Sequence, residues 1–167
     1  MSEQAAETLQ RRLDLRRAFS MFPSGVTGVC ALVDGTPVGM AASSFTSVSL
    51  QPPLVSICID QKSTTWPVLA RAPRLGVSVL SSEHAELARA LSARDRDRFS
   101  DAGWHANEDG ALFLQGATLW LDCAVSHAIT AGDHFIVLLE VRETCLFPDL
   151  SPLIFHRSEL RALDRDR

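Results

Sequence analysis

A chain of 167 residues, 46% hydrophobic and 22% charged, carries enough apolar material for one core and reads as a single soluble domain, residues 1–167. Its net charge of −4 excludes the basic face that broad nucleic-acid binding requires. Lys62 is the one lysine and there is no tyrosine, which leaves one candidate for Schiff-base chemistry and no phenol to act as an acid.

Residues 3–22 read as a helix. Leu9, Leu13 and Leu15, then Ala18, Phe19 and Phe22, recur at three- and four-residue steps, with Arg11, Arg12, Arg16 and Arg17 on the other side. Pro23-Ser24-Gly25 stops it. Residues 26–33 form a strand, Asp34-Gly35 is a two-residue hairpin signal, and the chain returns through Pro37 to Met40.

Residues 38–60, VGMAASSFTSVSLQPPLVSICID, are the most informative stretch. Gly39, Met40, Ala41 and Ala42 lead into the hydroxyls of Ser43, Ser44, Thr46, Ser47 and Ser49, and an apolar run through Cys58 and Ile59 reads as a buried strand. Neither parity of the Ser-rich part is a clean core face, so a simple two-sided strand describes it poorly. Small residues allow a flat ligand near the backbone, and hydroxyls with free N–H groups can bond its polar edge and any phosphate. The competing reading is a plain Ser-rich loop between two strands.

Next, Lys62, Ser63, Thr64 and Thr65 precede Trp66-Pro67. A hydroxyl here caps a short helix over 65–71 with proline in its first turn, and such a start, with the only lysine beside it, suits an anion. Residues 74–80 are a strand. Ser81 or Ser82 caps a helix running to Leu91, with Glu83 and Glu86 at its favourable end. The mixed-charge run 94–98 reads as solvated surface, and 100–110 as an irregular loop with Trp104 tucked into the core. Strands are expected over 111–114, 117–127, 135–146 and 151–155, with Trp120 in the core and the Gly132-Asp133-His134 turn opening the long one. Residues 157–167 form a charged tail, with a short helix as its one candidate element.

The cysteines, Cys30, Cys58, Cys123 and Cys145, lack C-x-x-C spacing and are expected as buried, reduced thiols; the histidines show no metal spacing, so no metal site is expected. The N-terminal segment has no apolar signal core, and the uncharged run 35–59 is broken by prolines and hydroxyls. A cytoplasmic protein with no membrane segment is expected. Seven or so strands without strand–helix alternation favour a mainly β, antiparallel barrel over a doubly wound sheet, and there is no G-x-G-x-x-G or G-K-[ST].

Gly39, Ala42-Ser43-Ser44-Phe45, Ser47-Val48-Ser49 and Pro52-Pro53-Leu54-Val55 together resemble the "G-x-x-A-S-S-F-x-S-V-S-x-x-P-P-L-V" signature of the short-chain flavin reductases, the small partners of two-component flavin-dependent monooxygenases. The resemblance runs from about Phe19 to Phe155. It implies a flavin-binding split barrel over 23–156 behind the N-terminal helix 1–22. It also implies a homodimer with flavin near the subunit interface, FMN or FAD as the flavin, and NADH or NADPH as the reductant. The Ser/Thr turn at 63–65 matches the family's flavin-phosphate turn, "D-R-F" places Arg98 and Phe99 near the flavin tail, and "G-D-H" makes His134 the catalytic candidate beside the nicotinamide. The residues expected at the cofactors are Gly39, Met40, Ala41, Ala42, Ser43, Ser44, Ser47, Ser49, Cys58, Ile59, Lys62, Ser63, Thr64, Thr65, Arg98, Phe99, His134 and Phe155. Three positions depart from the pattern: Leu139 stands for a glycine, and Phe155 and Ser158 for a tyrosine and a glycine. The expected reaction is hydride transfer from a reduced nicotinamide to flavin, with reduced flavin passed to a monooxygenase. The alternatives are a flavin carrier or sensor without nicotinamide turnover, and an oxidase on the same barrel.

Overall fold

The computed structural model describes residues 3–94 and 97–163. Helix α1 (Glu3–Phe19) is followed by strands β1 (Ser24–Gly25), β2 (Thr27–Val33), β3 (Thr36–Ala42), β4 (Thr46–Leu50) and β5 (Pro53–Asp60). Then come the short helix α2 (Trp66–Leu69), β6 (Leu75–Val79), a 3₁₀ turn at Ser82–His84 and α3 (Ala85–Ser92). Strands β7 (Trp104–Ala106), β8 (Leu112–Leu114), β9 (Leu119–Ala131), β10 (His134–Leu146), β11 (Leu153–His156) and β12 (Glu159–Ala162) complete the chain.

Seven strands form one antiparallel sheet in the order β3-β2-β6-β9-β10-β5-β4. Its two edge strands, β3 and β4, are consecutive in the chain and joined by residues 43–45, so the sheet curls until its edges meet there. This is an antiparallel split barrel. Its interior is filled by Val29, Ile57, Ile59, Leu75, Val77, Val137 and Leu139, all at most 1% exposed. A second apolar cluster lies between the barrel and α3, where Leu80, Leu91, Leu112, Leu114 and Leu153 are buried. Gly76 lets β6 cross β8 closely: a Cβ there would lie 2.0 Å from the Leu112 carbonyl oxygen.

Several local readings hold for physical reasons. Asp34 and Gly35 take φ of 49° and 74°, the doubly left-handed turn that joins β2 to β3. The mixed parity of the Ser-rich stretch comes from a bulge: β4 is an edge strand, and its register against β5 slips between Ser47 and Ser49, so Val48 is the extra residue.

Other expectations are corrected. The charged tail contains a strand: β12 pairs with β11, and β11 with β1, through a turn at Arg157-Ser158; residues 164–167 lie outside the described residues. Part of the loop 100–110 is β7, paired with β8, and Trp104 on it is 37% exposed rather than in the core. Trp120 is half-buried, donating to the Leu114 carbonyl, stacked with Phe113 and edge-on to Phe147. Cys30 and Cys123 are buried, but Cys58 and Cys145 are exposed on the outward faces of β5 and β10. Helix α1 stops at Phe19, and its apolar residues Leu9, Leu13, Leu15 and Phe19 remain exposed rather than packed. No helix among the described residues is long and apolar enough to cross a membrane, and none of their side chains cluster as metal ligands.

Candidate functional site

The polar half of the site is built at the turn after β5. Asp60 Oδ1 accepts the Lys62 amide at 2.7 Å, and Ser63 N–H donates to the Asp60 carbonyl at 2.9 Å. Ser63 Oγ then accepts the Trp66 amide at 3.1 Å, which starts α2 with Pro67 in its first turn. The amides of Thr64 and Thr65 have no partner among the described residues. They border a cavity of about 220 Å³ with Lys62, Arg94 and Arg98 around it and Asp60 as its one carboxylate among the described residues. Free N–H groups, hydroxyls and excess positive charge together form a site for an anion.

Arg98 joins this turn to the barrel. Its NH1 donates to the Gly39 carbonyl at 2.7 Å and to Thr65 Oγ1 at 2.8 Å, and its Nε donates to the Ala93 carbonyl at 2.8 Å. Phe99, 8% exposed, packs beside it on Gly39. A Cβ at Gly39 would lie 2.5 Å from Cys30 Sγ and 2.8 Å from Phe99 Cζ. Gly39 therefore makes room for the core and for Phe99. Because β3 is an edge strand and the Gly39 carbonyl points off that edge, the alternation of backbone groups turns the N–H and C=O of Ala41 the same way.

Ala41 and Ser92 lead from the small cavity into a cleft of about 640 Å³ between β3, α3 and the β11–β12 hairpin. Val26, Ala42, Ala88, Phe155 and Leu160 give it apolar walls, and Ser43 lies at its edge. An apolar slot with a backbone edge on one side, opening into an anion cradle, suits a planar heteroaromatic ring with a phosphorylated tail. That is the donor set a flavin nucleotide requires. A further cavity of about 410 Å³, beyond α3, is lined by Arg98 and by four carboxylates, Glu83, Glu86, Asp97 and Asp101, and has the wrong charge for that tail.

Of the residues expected at the cofactors, Met40, Ala41, Ala42, Ser43, Lys62, Ser63, Thr64, Thr65, Arg98 and Phe155 line these two cavities. The others do not line either cavity. Ser44 spends its hydroxyl on the backbone of Cys58. Ser49 Oγ accepts the Gln51 amide, and Ser47 is exposed on β4. Ile59 points into the barrel, and Cys58 points out of it. Sequence reasoning missed Ser92, Arg94 and Leu160. The small residues Ala85, Ala88 and Ser92 recur at helical spacing and signal a close approach on that face of α3; nothing comparable marks Leu160.

His134 stands one strand pair from the cradle, opposite Asp60 on β5. Its Nδ1 is 2.7 Å from Asp133 Oδ1, and the side chain is 43% exposed. The hydrogen bond from His134 holds the Asp133 carboxyl below the usual carboxylate range, helped by the charges of His134 and Arg12. The Asp133 carboxylate therefore accepts a hydrogen bond from Nδ1–H, which leaves Nε2 outside that contact. Gln61 steadies the turn, donating its side-chain amide to the carbonyls of Gly132 and His134. Of the three departures, Leu139 is fully buried in the barrel, whereas Phe155 and Ser158 line the cleft.

Comparison with known proteins points the same way. The chain is 37% identical over 161 residues to a flavin reductase of Pseudomonas putida, covering 94% of this chain and 95% of that one. It is 31% identical to the flavin-dependent monooxygenase reductase subunit HsaB of Rhodococcus jostii, covering 98% and 83% respectively. The NADH:FAD oxidoreductase SgcE6 of Streptomyces globisporus, solved with NAD and FAD fragments, superposes with a TM-score of 0.88 at 37% identity, covering 94% of this chain and 95% of that one. The family model for the flavin reductase like domain matches residues 19–164, and the chain belongs to that family.

Proposed function

We propose that this chain is an NAD(P)H:flavin oxidoreductase that reduces FMN or FAD with a nicotinamide and supplies the reduced flavin to a partner monooxygenase. The observation that carries this reading is the apolar cleft on the β3 edge opening into a carboxylate-poor cradle of hydroxyls, amides and cations. The names of its relatives as flavin reductases and as a reductase subunit support it.

In this reading Ser63, Thr64, Thr65 and Lys62 hold the flavin phosphate. The Ala41 backbone and Ser43 meet the polar edge of the ring, and Phe155 closes the apolar side. When bound, flavin accepts hydride from the nicotinamide, so the chain itself needs no nucleophile or acid–base pair. His134, with its imidazole set by Asp133, borders the nicotinamide and binds or orients it through Nε2. Every contact to the flavin is noncovalent, which suits release of the reduced product. The chain works as one domain and as a homodimer, with monooxygenase as its second partner. Its location is the cytoplasm.

The test is nicotinamide oxidation followed by absorbance, with FMN and FAD titrated separately. Saturable turnover is expected, and it ranks the two flavins. Flavin binding without oxidation of either NADH or NADPH would replace this reading with the carrier or sensor.

A further inference from the structure

Three consecutive carbonyls at the turn that carries His134 all accept from one residue, Gln61. Its backbone N–H donates to the Asp133 carbonyl at 3.0 Å. Its side-chain Nε2 donates to the carbonyls of Gly132 at 3.1 Å and His134 at 3.4 Å. The turn has little packing of its own: a Cβ at Gly132 would meet no atom within 4 Å, and the Asp133 side chain is 83% exposed. Beyond the ladder, hydrogen bonds rather than packing hold it.

The pairing of β5 with β10 ends at Asp60 opposite His134. Gln61 is the first residue past that ladder, and the turn from Lys62 to Thr65 follows it directly. Its backbone is fixed from that side as well, where Asp60 Oδ1 accepts the Lys62 amide at 2.7 Å. One residue thus joins the flavin side of the site to the nicotinamide side. Hydride transfer requires the reacting atoms about 3–3.5 Å apart, and a misplacement of about 1 Å can lower the rate about a hundredfold. A residue that keeps the two sides in register bears directly on that distance.

We propose that Gln61 is a positioning residue for hydride transfer: by gripping the carbonyls of residues 132–134, it holds the His134 imidazole in register with the flavin turn. Gln61 acts through His134 and not by contact with either cofactor. This inference rests on the reading of His134 as the residue beside the nicotinamide.

The experiment uses the full chain with FMN. Gln61→Met keeps the length of the side chain and removes its donor, and Gln61→Arg restores a donor. Each variant, alone and combined with His134→Ala, is measured three ways: FMN affinity by fluorescence, NAD+ affinity by calorimetry, and kcat and KM for NADH oxidation. Gln61→Met is expected to keep FMN affinity within about twofold, while NAD+ affinity and kcat/KM each fall about five- to tenfold. Gln61→Arg should recover part of that loss. In the His134→Ala background Gln61→Met should have little further effect, because the residue it acts through is gone.

Unchanged kcat/KM in Gln61→Met would overturn the proposal and leave the oxidoreductase standing. Equal loss of FMN and NAD+ affinity, or losses that add in the double variant, would make Gln61 a structural brace and overturn it too. If His134→Ala oxidises NADH as fast as the unmodified chain, the reading of His134 falls, and this inference falls with it. If the unmodified chain oxidises neither NADH nor NADPH, the function proposed above falls as well. Should Gln61→Met not fold, Gln61→Asn, shorter by one methylene, takes its place with the same expected losses.

Discussion

The hydroxyl of Ser44 donates to the carbonyl of Cys58 at 3.1 Å and accepts the amide of the same residue at 2.8 Å. One side chain thus satisfies both backbone groups of a residue on β5, as a neighbouring strand would. It does so where β3 ends and β4 has not yet begun, so Ser44 laces the seam at which the two edges of the sheet meet. Ser44→Ala leaves both groups without that partner and should destabilise the fold by about 1–3 kcal/mol. Urea denaturation checks it: the midpoint should drop with an unchanged slope, whereas an unmoved midpoint would show that the seam holds without the hydroxyl.

Removing the cradle hydroxyls should act on flavin directly. The Ser63→Ala, Thr65→Ala double variant should lose roughly 1–3 kcal/mol of FMN binding through lost phosphate hydrogen bonds. Ser63 also accepts the Trp66 amide, so its removal should cost about 1 kcal/mol of stability, which Thr65→Ala alone should spare. Flavin titration of both variants beside their melting curves separates the two effects. Unchanged FMN affinity would take this turn out of the site.

His134→Ala should slow nicotinamide oxidation more than it weakens flavin binding, because the ring lies beside the cradle and not in it. Asp133→Asn should give a smaller loss of rate in the same direction, since an amide no longer fixes which nitrogen carries the proton. Steady-state rates and flavin titrations are both required. Equal loss of rate and of flavin affinity in His134→Ala would make the histidine structural.

Two buried thiols should cost the fold stability at alkaline pH. Burial pushes Cys30 up to about 12, and burial, reinforced by the Asp122 charge, does the same for Cys123, both from an ordinary value of 9.0. Above that ordinary value the unfolded chain gives up protons that the native chain keeps. The stabilisation is therefore complete below pH 9.0 and is lost as pH rises toward about 12. The slope is about 1.4 kcal/mol per pH unit for each thiol. Denaturation midpoints across the alkaline range should fall steeply, and Cys123→Ala should make that fall shallower. The same slope in the variant would place the alkaline loss elsewhere.

Arg157 and Ser158 form the turn between β11 and β12 with φ of 53° and 62°. Left-handed backbone costs an L-residue about 1–2 kcal/mol, partly offset by the entropy a glycine loses on folding. Ser158→Gly should therefore stabilise the chain by about 0.5–1 kcal/mol, read as a raised urea midpoint. A lowered midpoint would mean that the serine side chain contributes more than its backbone costs.

This same turn shows where the sequence was hard to read. Asp34-Gly35 announces a hairpin because the residue types match the backbone they adopt. Arg157-Ser158 adopts the same kind of backbone with residues that do not advertise it, so the last strand, β12, looks like part of a tail. The Ser-rich stretch and the turn at 63–65 were legible because hydroxyl spacing and a helix-starting proline have local causes. Which of those hydroxyls remain free was not legible, because that depends on partners distant in sequence: Cys58 for Ser44, Arg98 for Thr65. The exposure of Trp104 and of the apolar side of α1 is likewise decided by what the rest of the chain places against them.

The pairing of β1 with β11, Ser24 against Phe155, joins segments from opposite ends of the chain. With it the hairpin carrying Phe155, Ser158 and Leu160 becomes one wall of the cleft, while β3 near the start supplies the other. During synthesis, most of the barrel can form before the cleft exists. The cleft is incomplete until the β11–β12 hairpin has been made and docks on β1. A chain cut short before β11 would therefore keep its other barrel strands and lose one wall of the cleft.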